Sequence, residues 1–449
     1  MIQRSLPSPA PMRLFKRLER YFEFEALGTN WRTEILAGLT TFMTMAYIIF
    51  VNPSILHEAG MPFAAVVAAT CLSSAIGSLL MGAFARYPIA LAPGMGLNAY
   101  FTYVVVKGMG VTWQAALGAV FLSGLAFAVL TLAGVIRKVV ASIPTELYSA
   151  IAAGIGLFIA LIGFRNAGII TASPATAVTL GNLREPHTLL ALGGLLLMAA
   201  LMAWGVRAAM LLGILITAAA GVALGLVEWR PHTYGLADIA ATTLRLDLPA
   251  TFHIGFLEIV FVFFFVDVFD NVGTLVAVGK KAGLFNQAYE IPRINRILLS
   301  DAAASTLGSL AGTSTVVSYI ESAAGVVAGG RSGVAAIVTG LLFLAALFVA
   351  PLAGVIPAAA TAPALILVGC LMMSHLAEID WSDPVVAVSA FLTMTAIPLT
   401  FSIANGLAFG FTAYTLLRLL RGEWRKVSWL MYVLAALFIA RFWYLGQAA

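Results

Sequence analysis

The sequence has little charge. Only 10% of its 449 residues are Asp, Glu, Lys or Arg, whereas 61% are hydrophobic. A soluble globular chain carries roughly a quarter of charged residues, so most of the surface of this protein cannot face water. The shortage excludes a water-soluble protein and predicts an all-α polytopic membrane protein.

Cysteine is scarce in the sequence, and a signal-like apolar run and a basic aromatic face are absent. The two cysteines, Cys71 and Cys370, lie inside apolar stretches, where we expect them to pack as small hydrophobic residues. Residues 1–30 contain no apolar run long enough for a cleaved signal. The net charge is +5, but no basic face with interleaved aromatic residues is present, so nucleic acid is excluded as a partner.

Residues 1–30 are basic and carry apolar residues at helical spacing, including Leu14, Phe15, Leu18 and Phe22. This pattern predicts a cytoplasmic amphipathic helix that lies on the membrane surface. A solvated tail is the alternative, because the pattern is short.

Long apolar stretches fill most of the remaining chain. Since a helix needs about 20 apolar residues to cross a bilayer, these stretches predict about 14 spans. They lie near 33–52, 62–84, 90–106, 112–135, 146–164, 188–204, 208–227, 254–278, 295–312, 315–329, 332–350, 357–376, 384–401 and 404–420. The run from Val427 to Leu445 is either a packed tail or another crossing. Basic residues concentrate in the connections on one side, which places the amino terminus in the cytoplasm of a cell-membrane protein.

The two halves of the chain share a short pattern. Ser74–Leu79 resembles Ser305–Leu310, about half the chain away, and each copy leads into a Gly-rich polar stretch. The interrupted segment is the third span of each half, and an odd number of spans per half places the copies in opposite orientations. Interrupted segments at matching places predict a transporter binding site. Ordinary packing of small residues between helices is the alternative.

Three acidic residues lie deep inside predicted spans: Asp267, Asp270 and Glu321. A charged side chain at the bilayer centre costs at least about 2.5–3.5 kcal/mol, and no Lys or Arg lies at a similar depth to neutralise one. Acids in such surroundings exchange protons near neutral pH, which is the chemistry of a proton-coupled carrier. In the alternative interpretation, they hydrogen-bond the backbone of the broken helices.

Amides, hydroxyls and aromatic rings surround these acids in the sequence. Asn98 and Phe101 follow the first interrupted segment, Thr313 and Ser314 lie in the second, and Phe265 precedes Asp267. Together they suit a planar, neutral, hydrogen-bonding solute and suit an anion poorly. No cofactor or metal is predicted.

The five histidines lie in connections or near span ends, so none is predicted to carry a proton at the centre. They are His57, His187, His232, His253 and His375.

Five stretches resemble the purine permeases of the nucleobase–cation symporter-2 family, in the AzgA-like adenine/guanine/hypoxanthine branch. The stretches are Gly28-Thr-Asn-Trp-Arg-Thr-Glu-Ile, Gly38–Pro53, Ala92–Phe101, Asp267–Thr274 and Gly312–Ser322. Each stretch is long and free of internal gaps, and the five occur in the expected order. The resemblance therefore covers nearly the whole chain from about residue 28.

The resemblance implies about 14 helices in two inverted seven-helix repeats, with short strands in broken helices 3 and 10. It also implies an elevator-like movement of a core domain against a gate domain, often in a homodimer. The implied core comprises 31–136 and 251–350, and the implied gate comprises 137–250 and 351–426. Residues 1–30 form the amino-terminal segment, and 427–449 form a carboxy-terminal hydrophobic segment without an assigned role.

The resemblance also assigns residues. The family's substrate-binding acids match Asp267 and Glu321, its essential amide matches Asn98, and Asp270 matches a further acid needed for transport. The uracil branch has a histidine one turn after its first acid, where this chain has Asn271. That departure favours adenine, guanine or hypoxanthine over uracil.

We therefore predict purine–proton symport, with the purine between Asp267 and Glu321 and Phe101 or Phe265 stacked on its ring. The three deep acids are the predicted proton carriers. One alternative is another nucleobase transporter, such as a xanthine or uracil permease, and a channel is a second. A membrane enzyme that binds Mg²⁺ and a prenyl diphosphate at Asp267 and Asp270 is remote, because no second acid pair is present.

Overall fold

The computed structural model describes residues 10–228, 236–251, 256–282, 291–350 and 356–448, and they are mostly helical. The helices of the first half are α1 (Ala10–Tyr21), α2 (Phe24–Leu27), α3 (Trp31–Met45), α4 (Ile48–His57), α5 (Phe63–Leu80), α6 (Met95–Ala99), α7 (Trp113–Leu132), α8 (Val135–Ser142), α9 (Thr145–Asn166), α10 (Pro186–Ala203) and α11 (Ala209–Ala223). Those of the second half are α12 (Leu236–Ala240), α13 (Leu248–Thr251), α14 (Phe256–Ala282), α15 (Ile294–Ala311), α16 (Ser322–Val327), α17 (Gly333–Val349), α18 (Ala358–Met372), α19 (Pro384–Leu399), α20 (Ile403–Leu420) and α21 (Trp429–Ala448).

Shorter elements complete the fold. The strands are β1 (Leu91–Pro93), β2 (Ile170–Ser173), β3 (Ala177–Leu180) and β4 (Val316–Ser318). Met81–Ala85 and Tyr100–Val106 form π-helical turns, and Met373–Glu378 and Trp424–Lys426 form 3₁₀ turns. The β2–β3 hairpin between α9 and α10 was not predicted from the sequence.

Seven helices in the described ranges are long and apolar enough to cross a membrane. They are Trp31–His57, Phe63–Ala85, Trp113–Leu132, Thr145–Asn166, Pro186–Ala203, Ala358–Glu378 and Ile403–Leu420. Shorter apolar helices lie between them, including α11, α17 and α19. Because helices satisfy their own backbone hydrogen bonds, they are the elements that lipid tolerates. The chain is a multi-pass membrane protein.

The predicted spans coincide with helices to within a few residues, apart from the two interrupted segments. The start of span 254–278 and part of the connection that precedes it fall outside the described residues. Most of the run Val427–Leu445 belongs to α21, which begins at Trp429 and packs against α20. The amphipathic amino-terminal segment contains α1, and its position on a membrane surface stays a prediction.

The two interrupted segments meet as a pair of short antiparallel strands. In their register Leu91 pairs with Ser318, Ala92 with Val317 and Pro93 with Val316. Hydrogen bonds extend the pairing at both ends, from the Tyr319 N–H to the Ala90 carbonyl (3.0 Å) and from the Gly94 N–H to the Thr315 carbonyl (2.8 Å). Non-helical backbone inside a membrane protein must find partners in the protein, and here each broken segment supplies them to the other.

The helices pack in two groups. One group, which we call the strand bundle, combines β1 and β4 with α3, α5, α7 and α14–α17. The other group, which we call the second bundle, combines α9–α11 with α18–α20. Close backbone approach holds each together: a methyl group on Gly333 would lie 2.0 Å from the Gly82 carbonyl oxygen, and one on Gly369 would lie 2.4 Å from that of Gly156. Small residues allow such contacts between membrane helices.

Candidate functional site

A cavity of ≈ 500 Å³ lies between the strand bundle and the second bundle. Its volume falls in the usual range for small-molecule sites, roughly 300–1,000 Å³. From the strand bundle, the walls include Gly94, Phe269, Asp270, Val317 and Glu321, with Tyr47 from the chain between α3 and α4. From the second bundle, they include Tyr148, Ile155, Val368 and Met372.

Glu321 follows β4 and directly precedes α16. Its Oε1 accepts a hydrogen bond from the Tyr47 hydroxyl at 2.7 Å, and Tyr47 itself is 1% exposed. Tyr319, two residues earlier, donates to the Pro93 carbonyl at 2.6 Å. The strand pair and Tyr47 therefore hold this carboxylate at the cavity wall.

Asp270 lies on α14 and reaches the same cavity. Within the described ranges, no residue forms a hydrogen bond or an ion pair with its carboxylate. A methyl group on Gly94 would lie 3.8 Å from Asp270 Oδ2 and 3.0 Å from Val317 Cγ2. The missing side chain of Gly94 thus keeps open the space between β1 and this carboxylate.

Asp267 does not line the cavity. It is fully buried and accepts hydrogen bonds from Asn271 Nδ2 (2.8 Å) and the Ser305 hydroxyl (3.1 Å). The same Asn271 accepts the Ser318 backbone N–H through Oδ1 at 2.7 Å. Asp267 therefore supports β4 from behind, and the cavity gives no support to the expected purine position between Asp267 and Glu321. The two acids that the structure brings to the cavity are Asp270 and Glu321.

Asp301 on α15 is a further buried acid, which the sequence analysis did not identify. It is 0% exposed, and its Oδ1 accepts the Ser318 hydroxyl at 2.8 Å. Its other oxygen has no partner among the described residues. Asp301 lies near enough to Asp267 and Asp270 for their charges to interact. A single Asp in the apolar run of a predicted span was the signal that could have revealed it.

The predicted amide and hydroxyl residues lie away from the cavity. Asn98 is fully buried, and neither atom of its amide has a partner in the described part of the chain. Two residues earlier, Gly96 faces Ile155 of α9, so helical geometry turns Asn98 away from the second bundle. Thr313 accepts a hydrogen bond from Asn52 at 3.0 Å, and Ser314 is buried beside it.

The predicted stacking residues also lie behind the wall. Phe101 packs near Phe263 with ring centroids 6.4 Å apart, and Phe265 packs on Phe269 at 4.1 Å. The aromatic residues that line the cavity include Phe269 and Tyr148, whose ring centroids are 4.6 Å apart at an interplanar angle of 36°. This pair bridges the two bundles.

The fold and the cavity define a membrane transporter: a multi-pass helical bundle in which two interrupted segments meet beside acids at a central site. The chain belongs to the permease family Xan_ur_permease, which it matches over residues 32–409. It is 47% identical to the guanine/hypoxanthine permease PbuG of Bacillus subtilis over 95% of this chain and 100% of that protein. It is 44% identical to the adenine permease AdeP of Escherichia coli, over 94% of this chain and 95% of that protein.

The fold is also similar to that of solved transporters with little sequence similarity. The transmembrane domain of the cyanobacterial bicarbonate transporter BicA superposes with a TM-score of 0.64 at 18% identity, over 85% of this chain and 97% of that one. This likeness concerns the fold alone. The protein is a permease and not an enzyme.

Proposed function

We propose that this permease carries the purine nucleobases adenine, guanine or hypoxanthine across the cell membrane by proton symport. The names of the two relatives support the substrate class, because identity above 40% extends over nearly the whole chain. The observation that carries the proposal is the cavity itself, where Asp270 and Glu321 present two carboxylates beside the paired strands.

The bound purine lies against Asp270 and Glu321 in this proposal. Its ring N–H groups donate to the carboxylate oxygens, and such charge-assisted hydrogen bonds are roughly twice as strong as neutral ones. The flat ring packs on Phe269, which lies beside Asp270 in the wall. Asp267 moves to a supporting role, since its oxygens already hold Asn271 and Ser305.

Proton coupling follows from the cost of moving charge through the bilayer. The acids near the strand pair form no ion pair with any basic residue in the described part of the chain. Uptake of one proton by Asp267, Asp270 or Glu321 reduces the charge of the loaded site, and the less charged site crosses more easily.

We propose that the strand bundle is the core (31–136 and 251–350) and the second bundle is the gate (137–250 and 351–426) of an elevator-like carrier. In this proposal the chain has about 14 spans in two inverted repeats, acts as a homodimer and keeps its amino terminus in the cytoplasm. The separate packing of the two bundles supports the division. Thr145 and Glu378 on the cavity wall are exposed, so the cavity reaches the surface at the end that this topology assigns to the cytoplasm.

The test is uptake of labelled hypoxanthine in cells that lack their own purine permeases. Asp270→Asn and Glu321→Gln should each abolish uptake while the protein still reaches the membrane, and Asp380→Asn in an exposed connection is the control. Asp267→Asn should also abolish uptake, because the amide replaces an acceptor oxygen with a donor and disturbs the support of β4. Normal uptake by the Asp270 or Glu321 variant would contradict the site.

The same assay identifies the substrate and the coupling ion. Adenine and guanine should compete with labelled hypoxanthine, whereas stronger competition by xanthine or uracil would favour another nucleobase permease. A protonophore should abolish accumulation. Uptake that resists the protonophore but needs sodium would replace the proton with Na⁺ as the coupling ion.

A further inference from the structure

The cavity has a second polar region at its outer end, by which we mean the end that opens to the protein surface. Between this region and Asp270 the wall is apolar, with Ile151, Ile155 and Leu371 among its residues. At the outer end, α9 contributes Ser149, and the 3₁₀ turn that follows α18 contributes His375 and Glu378. The proposed transport site uses none of these three side chains.

The contacts within this outer region involve one carboxylate oxygen of Glu378 and one ring nitrogen of His375. The Ser149 hydroxyl donates to Glu378 Oε2 at 2.9 Å, and His375 Nδ1 lies 3.9 Å from the same oxygen. Glu378 Oε1 and His375 Nε2 have no hydrogen-bonding partner in the described ranges. An acceptor and a ring nitrogen thus remain for a ligand in the cavity mouth.

The three residues belong to one rigid part of the protein. They lie on α9 and at the end of α18, which touch backbone to backbone at Gly156 and Gly369. Asp270 and Glu321 lie on the other bundle. The outer region therefore keeps its shape when the strand bundle moves relative to the second bundle.

We propose that Ser149, His375 and Glu378 form a second, weaker nucleobase subsite at the cavity mouth, an inference that rests on the proposed purine permease function. A purine N–H or amino group donates to Glu378, and His375 Nε2–H donates to a ring nitrogen or a carbonyl of the purine. The subsite is weaker than the inner site because the Glu378 side chain is 41% exposed and competes with water for its hydrogen bonds. It holds the purine just before release or just after capture on this side of the membrane.

Equilibrium binding of labelled hypoxanthine to the purified full-length protein in nanodiscs tests the proposal. The wild type should show a tight and a weak component. Ser149→Ala combined with His375→Ala and Glu378→Gln should weaken the weak component at least tenfold and leave the tight one unchanged. The single conservative variant Glu378→Gln should weaken it in the same direction. His57→Ala, at the end of α4 and away from the cavity, is the matched control and should change neither component.

Asp270→Asn separates the two hypotheses, because it should remove the tight component and spare the weak one. Tight binding that persists in Asp270→Asn would refute the inner site, while the response of the weak component to the triple variant still decides the subsite. A single component in the wild type, or a weak component that the triple variant leaves unchanged, would overturn the subsite.

Discussion

Replacing Tyr47 with Phe tests how the cavity presents Glu321. The change keeps the buried ring but removes the hydroxyl that donates a 2.7 Å hydrogen bond to the Glu321 carboxylate. A hydrogen bond to a charged group contributes about 1.5–3 kcal/mol. Without this bond, the carboxylate loses the contact that fixes its orientation, so it binds a purine N–H less well. If the whole contribution is lost from binding, the KM for uptake rises about 10- to 150-fold.

The assay is the initial rate of labelled hypoxanthine uptake against concentration, at matched amounts of protein in the membrane. Tyr103→Phe is a close control, since the Tyr103 hydroxyl donates to Glu58 Oε1 at 2.8 Å, away from the cavity. We expect the control to stay within about twofold of the wild type, because this hydrogen bond touches no residue of the cavity wall. An unchanged KM in Tyr47→Phe would refute the idea that this bond positions a substrate-binding carboxylate.

Two further predictions concern the interface of the bundles and an ion-pair cluster. Gly96→Ala places a methyl group 2.4 Å from Ile155 Cγ2, and such overpacking costs about 1–3 kcal/mol. The maximal uptake rate should therefore fall with little change in KM, whereas Gly193→Ala, which points into open space, should be neutral. A normal rate in Gly96→Ala would count against relative motion of the bundles at this contact. A hydrogen bond from Arg418 lowers the pKa of Glu423, so stability that is present at neutral pH is lost as the pH falls below 4.5. In thermal unfolding scans in detergent from pH 7 to 4, Glu423→Gln should lose less stability than the wild type, and equal losses would contradict this role.

The places where the two helices break could be predicted from the sequence, and the family resemblance implied a short strand at each. Gly-rich polar segments inside long apolar stretches indicate a break in a helix. The strand β1 lies in the first of the two interrupted segments and β4 in the second. Their register could not be predicted, because it depends on how two segments that are far apart in the chain meet. Pro93 and Gly94 mark where the first strand ends but say nothing about its partner.

The roles of the two acids on α14 show the limit of helical periodicity. Residues three apart on a helix are separated by about 60° around its axis, which places Asp267 and Asp270 on one side of α14. The edge of the cavity falls between them, so Asp270 faces the cavity and Asp267 faces Ser305 of α15. The position of that edge depends on the neighbouring helices, which the spacing of α14 does not encode.

The aromatic residues show a similar limit. The run around Phe263 and Phe265 presents rings on several faces of α14, so composition cannot tell which ring a ligand meets. Only packing against Tyr148 of α9 singles out Phe269. Tyr148 belongs to the opposite bundle, and no local motif connects the two positions.

The pairing of β1 with β4 constrains how the permease can work. Three residue pairs join the first half of the chain to the second at the place where the cavity begins. Separating these segments would leave buried backbone N–H and C=O groups without partners, at several kcal/mol for each unsatisfied group. A movement that carries a solute from one face to the other therefore keeps the two segments together. In the proposed elevator-like carrier, the barrier between the two compartments then opens and closes along the faces between the two bundles.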